Sequence, residues 1–215
     1  MSVYNFFYNS LIIVAFILSL VAVLKGHKRF GFLCILLFLT SGIELIVLQL
    51  IKMKLSFTWL YHSFNLVEYP LLALFLSTLI ANKTVKKAVV ISIPVYIICC
   101  FCISWFFYHF QDFPGLNIDI EGILLSIICT HILFNLEVIN NQSIIKNPYF
   151  WICSGILVYF GTTFFYNGVY TQIVTLNTGE ALELFGLINQ PLNILLYTSM
   201  IIGLLCLQTK NNTTP

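Results

Sequence analysis

Long apolar runs alternate along this chain with short polar breaks. Seven runs can be marked, at 8–24, 30–51, 57–81, 87–109, 118–139, 149–172 and 182–207. A helix rises about 1.5 Å per residue, so roughly 20 apolar residues cross the ~30 Å hydrocarbon core of a bilayer. The breaks carry turn and charge punctuation: Lys25-Gly26-His27-Lys28-Arg29, Lys52-Met53-Lys54, Asn82-Lys83, Asp112-Phe113-Pro114-Gly115, Asn140-Asn141-Gln142 and Asn177-Thr178-Gly179-Glu180. The pattern predicts an all-α fold. It is an integral membrane bundle of seven transmembrane helices occupying residues 1–207, followed by a short cytoplasmic tail, 208–215.

Composition turns this pattern into a statement about solvent. Of 215 residues, 60% are hydrophobic and only 8% charged, against roughly 25% charged in a soluble domain. Most of the surface must therefore face lipid. The net charge of +2 and the lack of a basic stripe interleaved with aromatics argue against a nucleic-acid partner. The first run is expected to be a retained helix, because Lys25, Lys28 and Arg29 follow it, whereas a signal peptide carries its positive residues ahead of the apolar stretch. The seven cysteines lie inside apolar runs without a CxxC pair, which reads as small packing residues and not as a redox or zinc motif.

Charge asymmetry sets an orientation. With the N-terminus outside, Lys25, Lys28, Arg29, Lys83, Lys86, Lys87, Lys146 and Lys210 are cytoplasmic, eight in all, and only Lys52 and Lys54 are external. The positive-inside rule then expects a multi-pass protein of the cell (inner) membrane, N-terminus out and C-terminus in.

An internal repeat is suggested by the third and seventh runs. Phe64-Asn65-Leu66-Val67-Glu68-Tyr69-Pro70-Leu71 aligns with Phe185-Gly186-Leu187-Ile188-Asn189-Gln190-Pro191-Leu192, and Ser77-Thr78 falls opposite Thr198-Ser199. Two parallel three-helix repeats joined by helix four would follow, a plan similar to that of the SWEET sugar transporters.

Polar residues in hydrocarbon are costly, about 2.5–3.5 kcal/mol for a charged group on insertion scales, and mark functional interiors. In the orientation above, Glu44, His62, Glu121, Tyr166, Asn167, Glu183, Asn189 and Gln190 fall in the outer half of the membrane, and Glu68 and Asn193 near its middle. Tyr61, Asn65 and Glu68 share a face of helix three, Asn189 and Asn193 a face of helix seven, and Tyr159, Thr163, Tyr166 and Tyr170 a stripe on helix six. Pro191 removes a backbone donor and should kink its helix. An outward-facing polar cavity is expected, with Glu44, His62, Asn65, Glu68, Thr163, Tyr166, Asn167, Asn189, Gln190 and Asn193 as its ligand-binding residues and Glu68 at its centre. Helix-to-helix hydrogen bonding is the competing account of such residues. It is preferred for His131 and Asn135, while Glu121 and Glu183 read as wetted residues near a helix start.

The segment His62-Ser63-Phe64-Asn65-Leu66-Val67-Glu68-Tyr69 resembles one found in small seven-helix membrane proteins of Bacteroidetes-type bacteria. Asn147-Pro148-Tyr149-Phe150-Trp151-Ile152-Cys153-Ser154-Gly155 and the spacing of Asn189 and Asn193 are similar too. That group is itself similar to the membrane input domains of some sensor kinases. The resemblance implies sensing, and with no effector in the short tail, sensing implies a protein partner on the cytoplasmic side.

The leading expectation is therefore a small unknown ligand bound in the outward cavity, for sensing or regulation, with the lipid bilayer as surroundings. A small-solute transporter of three-plus-one-plus-three plan is the alternative. An intramembrane hydrolase is the third, with His62, His131, Glu44 and Glu68 as conceivable metal ligands, although no HExxH-like spacing supports them. No catalytic residue, metal or cofactor is expected.

Overall fold

A computed structural model describes residues 3–106, 115–136, 144–176 and 178–211; the side chains of 3, 5, 168–186 and 209–211 lie outside that description. Seven α-helices are found among the described residues: α1 (Val3–Leu24), α2 (Gly31–Lys52), α3 (Thr58–Ser77), α4 (Lys83–Phe106), α5 (Gly115–Phe134), α6 (Pro148–Leu176) and α7 (Thr178–Asn211). Short 3-10 turns at Lys28–Phe30 and Ile144–Lys146 precede α2 and α6, and no strand occurs among the described residues. The all-helical membrane architecture expected from the pattern is the architecture observed.

Six of the helices are long and apolar enough to cross a membrane, and α3 is the one outside that group. Its 20 residues span about 30 Å, so length is not the cause. Tyr61, His62, Asn65 and Glu68 dilute its hydropathy. Large apolar side chains point outward elsewhere, Phe134 at 86% exposure and Trp105 at 72% among them, as a lipid-facing surface requires.

Helix ends follow local chemistry. The Asn82 side chain accepts the backbone N–H groups of Thr84 (2.9 Å) and Val85 (3.3 Å) and caps α4. Asn147 does the same for Tyr149 (3.0 Å), with Pro148 in the first helical position, where its missing N–H costs nothing. The α1 terminus closes through Gly26 at φ +93°, whose N–H bonds Val23 O while His27 N–H bonds Ala22 O, a glycine-terminated Schellman turn. The same pair of bonds ends α2, from Lys54 to Ile51 and from Leu55 to Leu50, with Lys54 itself at φ 57°. The α3 helix stops at Ser77, short of the expected residue 81, where the backbone tightens to i−3 bonds from Thr78, Leu79 and Ile80 to Phe75, Leu76 and Ser77. The α7 helix runs on to Asn211, so part of the expected tail is helical.

The chain divides into two compact units, residues 19–121 and residues 1–18 with 122–215. In the first, α3 packs against both α2 and α4, and Phe30 meets Phe75 at 5.5 Å between ring centroids. The α4 helix, which the repeat would leave as a joining segment, is thus a packing partner of α3, and the unit boundaries fall inside α1 and α5 rather than between the expected halves.

The second unit is built on α6 against α7, and small residues set their separation. A Cβ placed on Gly203 would sit 2.7 Å from Pro148 O, and one on Gly155 would sit 2.7 Å from Ser199 Cβ. The α5 and α6 helices meet in the same way, at 3.1 Å between a Cβ on Gly122 and Phe160 O. Close backbone approach through small residues is the usual source of helix association where lipid removes the hydrophobic drive.

Candidate functional site

Within residues 19–121, His62, Asn65 and Tyr69 stand at i, i+3 and i+7 on α3, on one helical face, and all three are buried. That face is met by an i+4 stripe on α4 made of Ser92, Tyr96, Cys100 and Ser104. The ring nitrogen Nδ1 of His62 lies 3.2 Å from Ser104 Oγ. Asn117, in the first turn of α5, donates its amide to the same Ser104 oxygen at 3.2 Å. Tyr69 and Ser92 share a short hydroxyl–hydroxyl bond, and the Tyr69 and Tyr96 rings contact at 4.4 Å between centroids. The Tyr96 hydroxyl lies 3.3 Å from Glu121 Oε2, to which it donates, and 3.4 Å from Asn117 O. One connected polar network therefore runs through α3, α4 and the start of α5.

One carboxyl, that of Glu121, is bonded into it, and two more lie within electrostatic reach along the series Glu44, Glu68, Glu121. Glu68 lies within electrostatic reach of Glu44 on α2 and of Glu121 on α5, and Tyr61 lies within reach of Glu44. These neighbours of Glu68 carry its own sign of charge. Glu121 is 1% exposed, so its expected place as a wetted helix-start residue is corrected: although it sits in the second turn of α5, the network encloses it.

The network is incomplete. Asn65 Nδ2, Asn117 Oδ1 and Glu121 Oε1 are buried and have no hydrogen-bond partner. A buried polar atom left unpaired costs about 1–3 kcal/mol, and more when it is charged, so most such atoms in folded proteins are paired. Two of the three, Asn117 and Glu121, stand on adjacent turns of α5 and share the Tyr96 hydroxyl.

Of the ten residues expected to bind ligand, Glu44, His62, Asn65 and Glu68 are brought into this unit. The remaining six lie in the other. There Thr163 bonds the Tyr159 carbonyl one turn back, and Asn193 donates to Asn189 O at 2.9 Å and Oδ1 at 3.1 Å; these bonds stay within their own helices. Tyr166 and Asn167 are buried, Gln190 is exposed, and Gln190 O accepts from Tyr4 Oη at 3.1 Å. A cavity of about 900 Å³ opens along α6 and α7, with Trp151, Val158, Leu187 and Ile194 among its walls, and of the ten residues only Gln190 lines it. It is chiefly apolar, unlike the polar cavity expected. The Glu183 and Tyr170 side chains lie outside the described residues.

Sequence reasoning missed Ser92, Tyr96, Ser104 and Asn117. A signal was present: polar and small residues recur every fourth position from Ser92 to Ser104, and Asn117 stands four residues before Glu121. Attention to ionisable groups passed over the middle of α4, where between Lys87 and Trp105 the polar side chains are hydroxyls and thiols.

No group of three or more His, Cys, Asp or Glu side chains among the described residues is placed to hold a metal ion. All seven cysteines are free thiols; Cys100, Cys129 and Cys153 are buried, Cys99 and Cys102 exposed. The chain matches no protein-family model, no curated protein and no solved structure.

Proposed function

We propose that this membrane protein binds a small polar ligand in the network of α3, α4 and the start of α5, for sensing or regulation through a protein partner. The observation that carries this reading is the set of buried atoms without a hydrogen-bond partner, Asn65 Nδ2, Asn117 Oδ1 and Glu121 Oε1, with Glu68 in electrostatic reach of both Glu44 and Glu121. Burial of this kind is expensive, and residues held at such a cost are typical of binding sites, where stability is traded for function. The bilayer surrounds the bundle, with the N-terminus outside and the C-terminus in the cytoplasm of a cell-membrane protein. The eight-to-two division of Lys and Arg supports that orientation. A reporter active only in the cytoplasm should be active when fused after Pro215 and silent when inserted ahead of Gly115; the opposite pair of results would reverse the topology.

A small-solute transporter is the second reading. It is favoured by prolines inside both α3 and α7, Pro70 and Pro191, since interrupted helices in corresponding positions are the usual pointer to a transport site.

Glu68 separates binding from packing by the sign of a stability change. Substitution Glu68→Leu removes a desolvated carboxyl from beside two others. The purified protein should then melt higher, by the equivalent of about 1–3 kcal/mol, as when buried ionic groups are replaced by apolar ones of similar size. Glu68→Gln should stay folded and lose any pH dependence of ligand binding. A lower melting temperature for Glu68→Leu would mean that Glu68 holds α3 in place, and the binding reading would lose its central residue.

A further inference from the structure

The cavity between α6 and α7 lies wholly within the unit of residues 1–18 and 122–215, and none of its lining residues belongs to the network of α3, α4 and α5. Small residues make its floor. Gly155 brings α6 against Ser199 of α7, where an added Cβ would stand 2.7 Å from Ser199 Cβ. Ser154 and Thr198 stand next to that contact and are too short to fill the space between the larger side chains on either side. Val158 on α6 and Leu187 and Leu195 on α7 form the walls, and all three are exposed. Both helices are long and apolar enough to cross a membrane along Pro148–Asn167 and Leu187–Gln208, so hydrocarbon is what meets those side chains.

Shape selects among occupants. From Leu187 to Ile202, both in the lining, α7 rises about 22 Å at 1.5 Å per residue. A transmembrane helix of that length and about 10 Å across takes up roughly 1,700 Å³, while the cavity holds about 900 Å³. A partner helix, or a helix of a second copy, would rest on the rim and leave the floor empty. An acyl chain is thinner and has no backbone polar groups to satisfy, so it can lie along the floor.

The two ends of the groove differ. At one, the Tyr4 hydroxyl donates to Gln190 O at 3.1 Å. At the other, the 3-10 turn Ile144–Lys146 brings Ile145 into the lining. The Ile145 carbonyl pins that turn, accepting from the Trp151 indole at 2.7 Å and from Cys206 Sγ at 3.9 Å. Lys146 comes next in the turn and is exposed. A cation is thus tethered at the groove's end, together with a tryptophan of the kind that marks the headgroup level. Lipid tails are as apolar as the walls, so a tail gains no hydrophobic energy by leaving the bilayer for the groove. The charge at this end is what distinguishes one lipid from another.

We infer that the groove between α6 and α7 is a lipid site, which holds an acyl chain of an anionic glycerophospholipid with the phosphate on Lys146. The lipid comes from the leaflet on the Lys146 side. A zwitterionic lipid with the same tails carries its own cation beside the phosphate and is held less tightly. This site is separate from the proposed ligand site in the network, and neither depends on the other.

The experiment uses the full chain in detergent, two probes with equal tails, phosphatidylglycerol and phosphatidylcholine, and native mass spectrometry to count the lipids retained. The wild-type protein should retain one phosphatidylglycerol in preference to phosphatidylcholine by about 5-fold, the preference that one lysine gives near an anionic headgroup. Lys146→Gln should lose that preference and still retain a lipid. Thr198→Trp sets a large side chain on the floor and should lose the lipid. A phosphatidylglycerol with a photoreactive tail should label residues 151–158 and 187–202 of the wild-type protein, a result that stands even if Thr198→Trp fails to fold. Labelling confined to other helices, or equal retention by a folded Thr198→Trp, would overturn the site. An unchanged preference in Lys146→Gln would overturn the headgroup assignment. A wild-type dimer that retains no lipid and that Thr198→Trp converts to a monomer would give the groove to a second copy and overturn the lipid reading.

Discussion

Gly203→Ala should lower the melting temperature of the purified protein sharply, by the equivalent of about 1–3 kcal/mol, the usual cost of forcing an extra group into a packed interior. The new methyl would stand 2.7 Å from the Pro148 carbonyl oxygen and 2.8 Å from Ile152 Cγ1. Backbone cannot give way as a side-chain tip can, so α7 must move off α6. Gly155→Ala should act in the same direction through Ser199. Two controls make the result specific. A methyl on Gly161 comes no closer than 3.9 Å to Ser126 Oγ, and one on Gly42 meets nothing within 4 Å. Gly42→Ala should be neutral or stabilising, by up to about 1 kcal/mol of helix propensity. Equal melting of Gly203→Ala and Gly42→Ala would mean that the α6–α7 seam is looser than described.

Tyr96→Phe should be the second large effect. It keeps the ring that contacts Tyr69 and removes the hydroxyl that lies against Glu121 Oε2 and Asn117 O. Both oxygens of a buried carboxyl are then left unsatisfied, since Oε1 already lacks a partner. The expected loss is about 1.5–3 kcal/mol, as for other hydrogen bonds to charged groups. Chemical denaturation or melting of the empty protein measures it. Unchanged stability in Tyr96→Phe would show that the network holds nothing together.

The fold was legible because the bilayer enforces it. Runs of some twenty apolar residues have few structures open to them, and charged or glycine-bearing breaks such as Lys25–Arg29 mark where each helix ends. Boundaries were less legible inside an apolar run: α3 ends at Ser77, where the backbone tightens to i−3 bonds, and hydropathy does not register that change. The site was half visible. Glu44, His62, Asn65 and Glu68 stand out as ionisable or amide groups in a hydrophobic run, and the structure gathers them. Ser92, Tyr96 and Ser104 do not stand out, because hydroxyls are common in membrane helices, and only the packing of α4 on α3 turns them into network members. Glu121 was misjudged for a related reason. Nearness to a helix start in sequence says nothing of what covers the residue, and here it is 1% exposed. The six candidates on α6 and α7 show the opposite error: the hydrogen bonds of Thr163 and Asn193 stay within their own helices, a use of polar atoms that helical spacing alone does not distinguish from ligand binding.

The claim that the α3–α4–α5 network is a binding site is tested most directly by an experimental structure of the protein purified gently from its membrane. The account predicts non-protein density within hydrogen-bond distance of at least one of Glu121 Oε1, Asn117 Oδ1 and Asn65 Nδ2. A structure in which those three atoms are bonded to neighbouring side chains, with no non-protein density beside any of them, would contradict it.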